Sequence, residues 1–398
     1  MIVTERLYYS DSYLTEFDAT IIRRAEHEGR PAVVLDRTAF YPRSGGQPFD
    51  TGQLGSARVI DVIESDAGEI VHVLDREIEA AGVRGRIDWA RRFEHMQQHT
   101  GQHVLSAAFD RTAGARTESF HMGPSSSTID LNRVLAAPDI EAAEAEANRV
   151  IWSDVPVGVR YVSAEEAAAL PLRKESARTG TLRLIEVPEF DISACGGTHV
   201  ARTGAIGAVV IASSERFRGG TRVEFLCGVR ATRAYRVLRD TVAASVRLVS
   251  VLPDELPAGI ERLQAEMKAI KRTARDLQTR LATFEASSLA DRAEPMGTLH
   301  AVIATIEGWD QAGLKALAGE IVTRSNYVAA LFSVPAPSAV VVVRSADVTV
   351  DCAAVLKKLT ERFGGKGGGR PDLAQGGGLQ ATGDQLVVAA REFVGHVM

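Results

Sequence analysis

HMQQHTGQH, residues 95–103, places His95, His99 and His103 at four-residue spacing inside a stretch, Trp89 to about Asp110, that lacks turn residues and reads as a helix. Residues four apart in a helix lie one turn apart on the same side, so an HxxxH pair can grip one ion. Two adjacent pairs are available, 95/99 and 99/103. His95 and His103 are separated by roughly 12 Å of axial rise at about 1.5 Å per residue, so a straight helix cannot bring all three to one ion. One histidine is therefore a bystander. Two protein ligands hold zinc weakly, and a second pair is expected elsewhere. The best candidate is Cys195 and His199 in CGGTH, again four apart, with two glycines that permit a tight backbone path. A thiolate with imidazoles suits zinc, whereas magnesium or calcium would take oxygens. An HxxxH alone reads equally as a solvated helix face; with CGGTH on the same chain a metal is the better reading.

Outward from this helix the pattern changes. Residues 1–90 carry short alternating or apolar runs (ATIIRRAE, RPAVVLDR, SARVIDVIES, EIVHVLD) between Gly, Asp and Pro turns, the signature of a small antiparallel barrel or sandwich. After it, a second helix fits Asp139 to Trp152 and a third begins at Ser163, a good N-cap. Strand-like TLRLIEVPEF, GAVVIASSERF and TRVEFLCGV follow, so residues 91–240 read as an α/β or α+β domain. In 241–295, Ile260, Leu263, Met267, Ile270, Ala274, Leu277, Leu281 and Phe284 step by three and four, a heptad seam. That seam fits a helix buried against its own chain or a coiled coil between two chains. Residues 296–398 alternate strands (AVIATIE, YVAALFSV, SAVVVVR) with helices near Gln311–Thr323, Cys352–Arg362 and Gln385–Val394, a separate α/β domain. The fold class is α+β and multidomain.

The chain of 398 residues is too long for one ordinary core, and its 45% hydrophobic and 24% charged residues are those of a soluble globular protein. A net charge of −5 argues against indiscriminate coating of nucleic acid. No signal peptide and no membrane-spanning run is expected, so the protein is expected in the cytoplasm with no membrane partner. Cys195, Cys227 and Cys352 are too few for a disulfide framework. Cys227 and Cys352 read as small buried residues.

HTGQH at 99–103 with CGGTH at 195–199 resembles the paired zinc signature of the editing domain shared by alanyl-tRNA synthetases and free-standing AlaX editing proteins. FYPRSGGQPFDTG at 40–52 is similar to the glycine motif of that family's N-terminal barrel, and GGKGGGRPDLAQGGG at 364–378 to the loop in the synthetases' C-terminal domain, shared with DHH phosphoesterases. The marks run in family order over nearly the whole chain, and the aminoacylation domain is not among them. The resemblance is to long-form AlaX, an editor that does not charge tRNA. It selects His99, His103, Cys195 and His199 as the zinc ligands and leaves His95 as the packed or surface histidine.

The resemblance further implies hydrolysis of misacylated tRNA(Ala), with serine as the expected amino acid and glycine as the second. A pocket sized for alanine rejects serine poorly, and a second site that hydrogen-bonds the hydroxyl discriminates better. In ARTESFHMG, Thr117 matches a polar family residue that faces the aminoacyl group, and His121 is a candidate substrate contact or proton carrier; a turn threonine and a core histidine are the plain readings. The ester is already reactive, so orienting a water can suffice. Ser44, Gly45, Gly46 and Gln47 form a tight turn by spacing, and the resemblance implies contact with tRNA. Gly196, Gly197 and Thr198 stand between the two downstream ligands as substrate contacts. Arg216, Arg218 and Arg222, followed by Arg230, Arg233 and Arg236, form a local basic excess for phosphate, with Arg91 and Arg92 as further candidates. Lys366 and Arg370 would cradle phosphate in the glycine loop. A non-catalytic tRNA adaptor on the same fold is the alternative function, and a homodimer through the heptad segment or C-terminal domain the expected assembly.

Overall fold

The computed structural model describes residues 4–65, 68–173 and 180–396, which divide into two compact units between Ala244 and Ser245. In the first unit, six antiparallel strands close a barrel: β1 (Glu16–His27), β2 (Arg30–Leu35), β3 (Gly52–Leu54), β4 (Ala57–Glu64), β5 (Ile70–Leu74) and β6 (Gly82–Ile87). Their order is β1-β2-β5-β4-β3-β6, with β6 returning to β1. Burial alternates with the strand period; along β6, Val83, Gly85 and Ile87 are covered while Arg84 and Arg86 face solvent. Closure leaves no edge strand.

The histidine helix, α1 (Trp89–Ala113), leaves the barrel directly. Asp88 caps its start by accepting from the Arg91 N–H, and Gly114 ends it in the left-handed conformation, its N–H bonded to the carbonyls of Asp110 and Phe109. Arg92 ties it back to the barrel. Its guanidinium donates to both carboxylate oxygens of Asp50, to the Ser12 carbonyl and to the Ala39 carbonyl, and neither side chain of the pair is exposed. Removing one partner of such a pair strands a buried charge. Arg92 is thus held in an interior ion pair and is not on a tRNA-facing surface, correcting the reading from its neighbour Arg91.

Around α1 lie two sheets and a second helix. Strands β7 (Thr117–Met122), β8 (Ser127–Leu131), β12 (Val209–Phe217) and β13 (Gly220–Cys227) form an antiparallel sheet ordered β12-β13-β8-β7. Helix α2 (Ala137–Trp152) joins it, and Ala143, Ala147 and Ile151 meet Leu105, Phe109, Ile129, Val223 and Phe225 in one core. A second antiparallel sheet orders β9 (Gly158–Val162), β10 (Leu182–Val187) and β11 (Asp191–Ala194), which delivers the chain to Cys195. Ser163 does cap a short helix, Ala164–Ala168, through a reciprocal bond pattern with Glu166.

Helices α3 (Gly228–Val249) and α4 (Leu256–Ala290) follow. In the second unit a six-stranded sheet comprises β14 (Glu294–Met296), β15 (Leu299–Glu307), β16 (Tyr327–Val334), β17 (Ser338–Arg344), β18 (Lys366–Arg370) and β19 (Leu373–Leu379), ordered β14-β15-β16-β17-β19-β18. Only β15 and β16 are parallel neighbours. Alternate residues of β16 enter two cores: Val328, Ala330 and Phe332 join residues of α6 (Cys352–Phe363) and α7 (Gly383–Gly395), while Ala329 and Leu331 join those of α5 (Gln311–Ile321).

The heptad seam is not buried against its own chain: Ile270 is 68% and Phe284 77% exposed, whereas Ala282, Ala286 and Ala290 form the covered face. The glycine-rich stretch is a strand pair; glycines at 367 and 369 let β18 approach the β19 backbone more closely than a Cβ would allow. Among the described residues no helix is long and apolar enough to cross a membrane.

His72, fully buried on β5, bonds Thr38 Oγ1 at 2.8 Å through Nε2, and its Nδ1 meets the Val33 carbonyl at 3.3 Å. Burial pushes its pKa from 6.5 down to about 4, against a weaker opposing pull from Val33. The unfolded chain takes up that proton from about pH 6.5 and the folded barrel only near pH 4, so stability is whole above 6.5 and declines between the two, by roughly 3 kcal/mol. Denaturation at pH 7 and pH 4.5 is expected to show a pH-dependent loss that shrinks by about 2 kcal/mol in His72→Gln.

Candidate metal centre

Ligand atoms of His99, His103, Cys195 and His199 all lie within 4.8 Å of one another. Cys195 Sγ is 3.3 Å from His99 Nε2 and 3.3 Å from His199 Nε2. Bonds of roughly 2.0–2.3 Å to a tetrahedral ion separate neighbouring ligand atoms by roughly 3.3–3.8 Å, so the spacing fits zinc. The donor set, one sulfur and three imidazoles, fits as well.

Each imidazole is aimed by its other nitrogen. His99 Nδ1 donates to Gln47 Oε1 at 2.7 Å and His103 Nδ1 to Asp191 Oδ2 at 3.1 Å, while His199 Nδ1 and the Thr100 hydroxyl share a hydrogen bond of 3.2 Å. Gln47 Oε1 and the Asp191 carboxylate only accept, so they hold the Nδ1 proton on His99 and His103, and Nε2 of His99 and of His199 faces the thiol. The supports are themselves supported. Gln47 Nε2 donates to Thr198 Oγ1 and its Oε1 accepts from the Thr198 N–H; Asp191 accepts from Arg173 Nε at 2.7 Å and from Ser193. Arg183 Nη1 donates to the carbonyls of Cys195 and Gly197, holding the loop between the downstream ligands. Gly197 is there by necessity: a Cβ would come within 2.1 Å of His99 Cε1.

Burial would raise the Cys195 thiol, but the His99 and His199 imidazoles and hydrogen bonds from His103 and His199 hold it well below the usual thiol range. Burial likewise opposes protonation of His103, yet Asp191 and Cys195 bring it up to about 9, while Asp191 sits near 2 under His103 and Arg173 despite its burial. Burial takes His199 down to about 3, against the opposing pull of Cys195. A metal takes the thiolate and the unprotonated imidazole nitrogens, so ion binding would compete with protons for these side chains. His95 is outside the cluster. It is buried, its Nδ1 has no hydrogen-bond partner among the described residues, and burial with Arg91 and Arg230 nearby takes it down to about 3.

Other anticipated residues divide. Ser44 and Gln47 exchange backbone hydrogen bonds across Gly45 and Gly46, both at positive φ, so SGGQ is a tight turn; it also delivers the Gln47 amide to the ligand shell. Gly46 accepts from the Met122 N–H, and Thr198 is buried against Gln47. Gly196 borders Tyr9. Thr117 bonds Ser106 at 2.7 Å on the α1 side of β7. His121 falls on the exposed side of β7, whereas its neighbour Phe120 lies 5.5 Å from the His99 ring. Arg222 pairs with Asp130 and stacks over Phe217, and Arg230 and Arg233 pair with Glu94; Arg216 and Arg218 are exposed with no ion pair among the described residues. Lys366 and Arg370 are exposed on β18 in the second unit, Arg370 beside Asp372.

Asp191, Thr100, Phe120, Ser106 and Arg183 escaped sequence reasoning, because no spacing motif links them to a ligand. Gln97 and Gln98 did too. Gln98 brackets Cys227, donating to its carbonyl and accepting from its N–H, and Gln97 does the same between Ala205 and Val229.

Two family models match the chain: the threonyl and alanyl tRNA synthetase second additional domain over residues 182–224, and the DHHA1 domain over 299–396. Alanyl-tRNA editing protein AlaX-L of Pyrococcus horikoshii is 32% identical over 389 residues, 94% of each chain. Alanine–tRNA ligases of Pyrococcus abyssi and Halorubrum lacusprofundi are 32% and 36% identical over 94% and 95% of this chain, which spans 42% of each ligase. Cys195 and His199 of the cluster fall within the first family model's span, and a relative is matched along nearly its full length: the chain belongs to the AlaX-L family of alanyl-tRNA editing proteins.

Proposed function

We propose that this protein is a zinc-containing trans-editing deacylase that hydrolyses the ester of Ser-tRNA(Ala), with Gly-tRNA(Ala) as a second substrate. The observation that carries this reading is the buried cluster of three imidazoles and one thiol, each imidazole aimed by its own partner, in a chain of the AlaX-L family. Zinc held by His99, His103, Cys195 and His199 would supply a fixed positive charge for the aminoacyl end. With four protein ligands the shell is closed, so the residues around it do the remaining work. Gln47 and Asp191 hold the ligands, and Thr117 offers its hydroxyl to the seryl side chain. A glycyl or alanyl group would leave that polar partner unpaired, which makes serine the preferred substrate. Orienting water at an activated ester is enough for turnover.

In this reading residues 1–90 form the barrel, 91–240 the editing domain, 241–295 the helical connector and 296–398 the part that grips the tRNA body. Exposed Arg216, Arg218 and Lys366 supply phosphate contacts. The exposed apolar seam of α4 pairs with a second copy. Sedimentation is expected to find a dimer that Ile270→Glu converts to monomer.

Initial rates on Ser-, Gly- and Ala-tRNA(Ala), measured side by side, test the reaction: serine is expected to be cleared fastest and alanine spared. Stoichiometric protection of the ester without turnover would establish the adaptor and refute the enzyme. Cys195→Ala is expected to lose both metal and activity. Gly197→Ala should fold with depleted zinc by elemental analysis, since its methyl displaces the His99 ring. Gln47→Ala should weaken zinc by about tenfold to a hundredfold.

A further inference from the structure

Ser106 lies three residues beyond His103 on α1, a spacing that puts side chains about 5–6 Å apart at Cβ on one helix face. It is fully buried, as is nearly all of Gln102. Gln102 Nε2 donates to Ser106 Oγ at 2.8 Å, and the Thr117 hydroxyl donates to the same oxygen at 2.7 Å. Thr117, at the start of β7, is only half-buried, so it is the member of the trio that a ligand can reach.

We infer that Gln102 and Ser106 are positioning residues that set the hydrogen-bond polarity of Thr117 and so make the site selective for an aminoacyl group carrying a side-chain hydroxyl. A serine oxygen has two lone pairs. An amide N–H only donates, so Gln102 occupies one lone pair of Ser106 and leaves a second for a donor on β7. Thr117 fills that second lone pair with its own proton. Its oxygen is then left with lone pairs facing outward, an acceptor for a hydroxyl and no donor for anything else. A seryl hydroxyl satisfies it; a glycyl or alanyl group leaves it unpaired in a partly dry site, which costs affinity. The inference rests on the deacylase reading for the identity of the ligand. Neither Gln102 nor Ser106 touches the substrate.

Calorimetry on the zinc-loaded full chain with non-hydrolysable seryl and glycyl amides of 3′-amino-3′-deoxyadenosine tests this without turnover. Wild type is expected to prefer the seryl amide by about tenfold or more. In Ser106→Ala the seryl affinity should fall by about ten times more than the glycyl affinity, bringing the ratio near one. Thr117→Val should do the same, and adding Ser106→Ala to it should leave the ratio where it was. If Ser106→Ala fails to fold, Gln102→Met, which keeps the volume and removes the amide, should lower the ratio in its place. Equal weakening of both amides, or a ratio that falls further in the double variant than in Thr117→Val, overturns the relay while leaving the deacylase reading intact. A wild type that binds neither amide overturns both.

Discussion

Burying a helix that is polar on several faces costs free energy at every polar group left without a partner, and α1 is buried from Arg92 through Phe109 almost without interruption. Arg92 recruits Asp50, Gln97 the Ala205 carbonyl and Val229 N–H, Gln98 the two backbone groups of Cys227, His99 Gln47, Thr100 His199, Gln102 Ser106 and His103 Asp191. Barrel, sheet and ligand loop are therefore held in place by one helix whose interior hydrogen bonds specify where each must sit. These partnered groups favour one arrangement, because a shift would leave a donor or acceptor empty in a low-dielectric interior; His95 Nδ1, without a partner among the described residues, stands outside the network.

The cluster shows the same logic at close range. The thiol and three imidazoles come from two chain segments, and neither segment sets its own geometry. Gln47 from the barrel, Asp191 from a separate sheet and Arg183 from a third strand supply the aim and the support. Side chains far apart in sequence thus act as one structure, and the nearest spacing rule sees only the ligands.

What could be read from sequence follows from that division. HxxxH and CGGTH were legible because a helix turn and a short loop impose local spacing. Barrel strands were legible from alternation, and the helices of the second unit agreed with their pattern to within a few residues. Gln97, Gln98, Asp191 and Ser106 were not, since a polar residue on a helix reads as solvated unless its distant partner is known. The heptad seam misled in part: period three and four defines an apolar stripe without stating what covers it, and alanines on another face of α4 meet the sheet. The strand pairing of the glycine-rich stretch was not legible for a related reason, because glycine serves a turn and a close strand pairing equally well.

His99 and Cys195 stand 96 positions apart along the chain. An ion gripping both would be a reversible cross-link closing a loop of that size. By the chain-entropy argument for disulfides such a closure removes on the order of 4–5 kcal/mol of freedom from the denatured ensemble at 25 °C. Metal supply would then govern how long the folded molecule survives as well as what it does, and a chelator would shorten its lifetime before any reaction was measured.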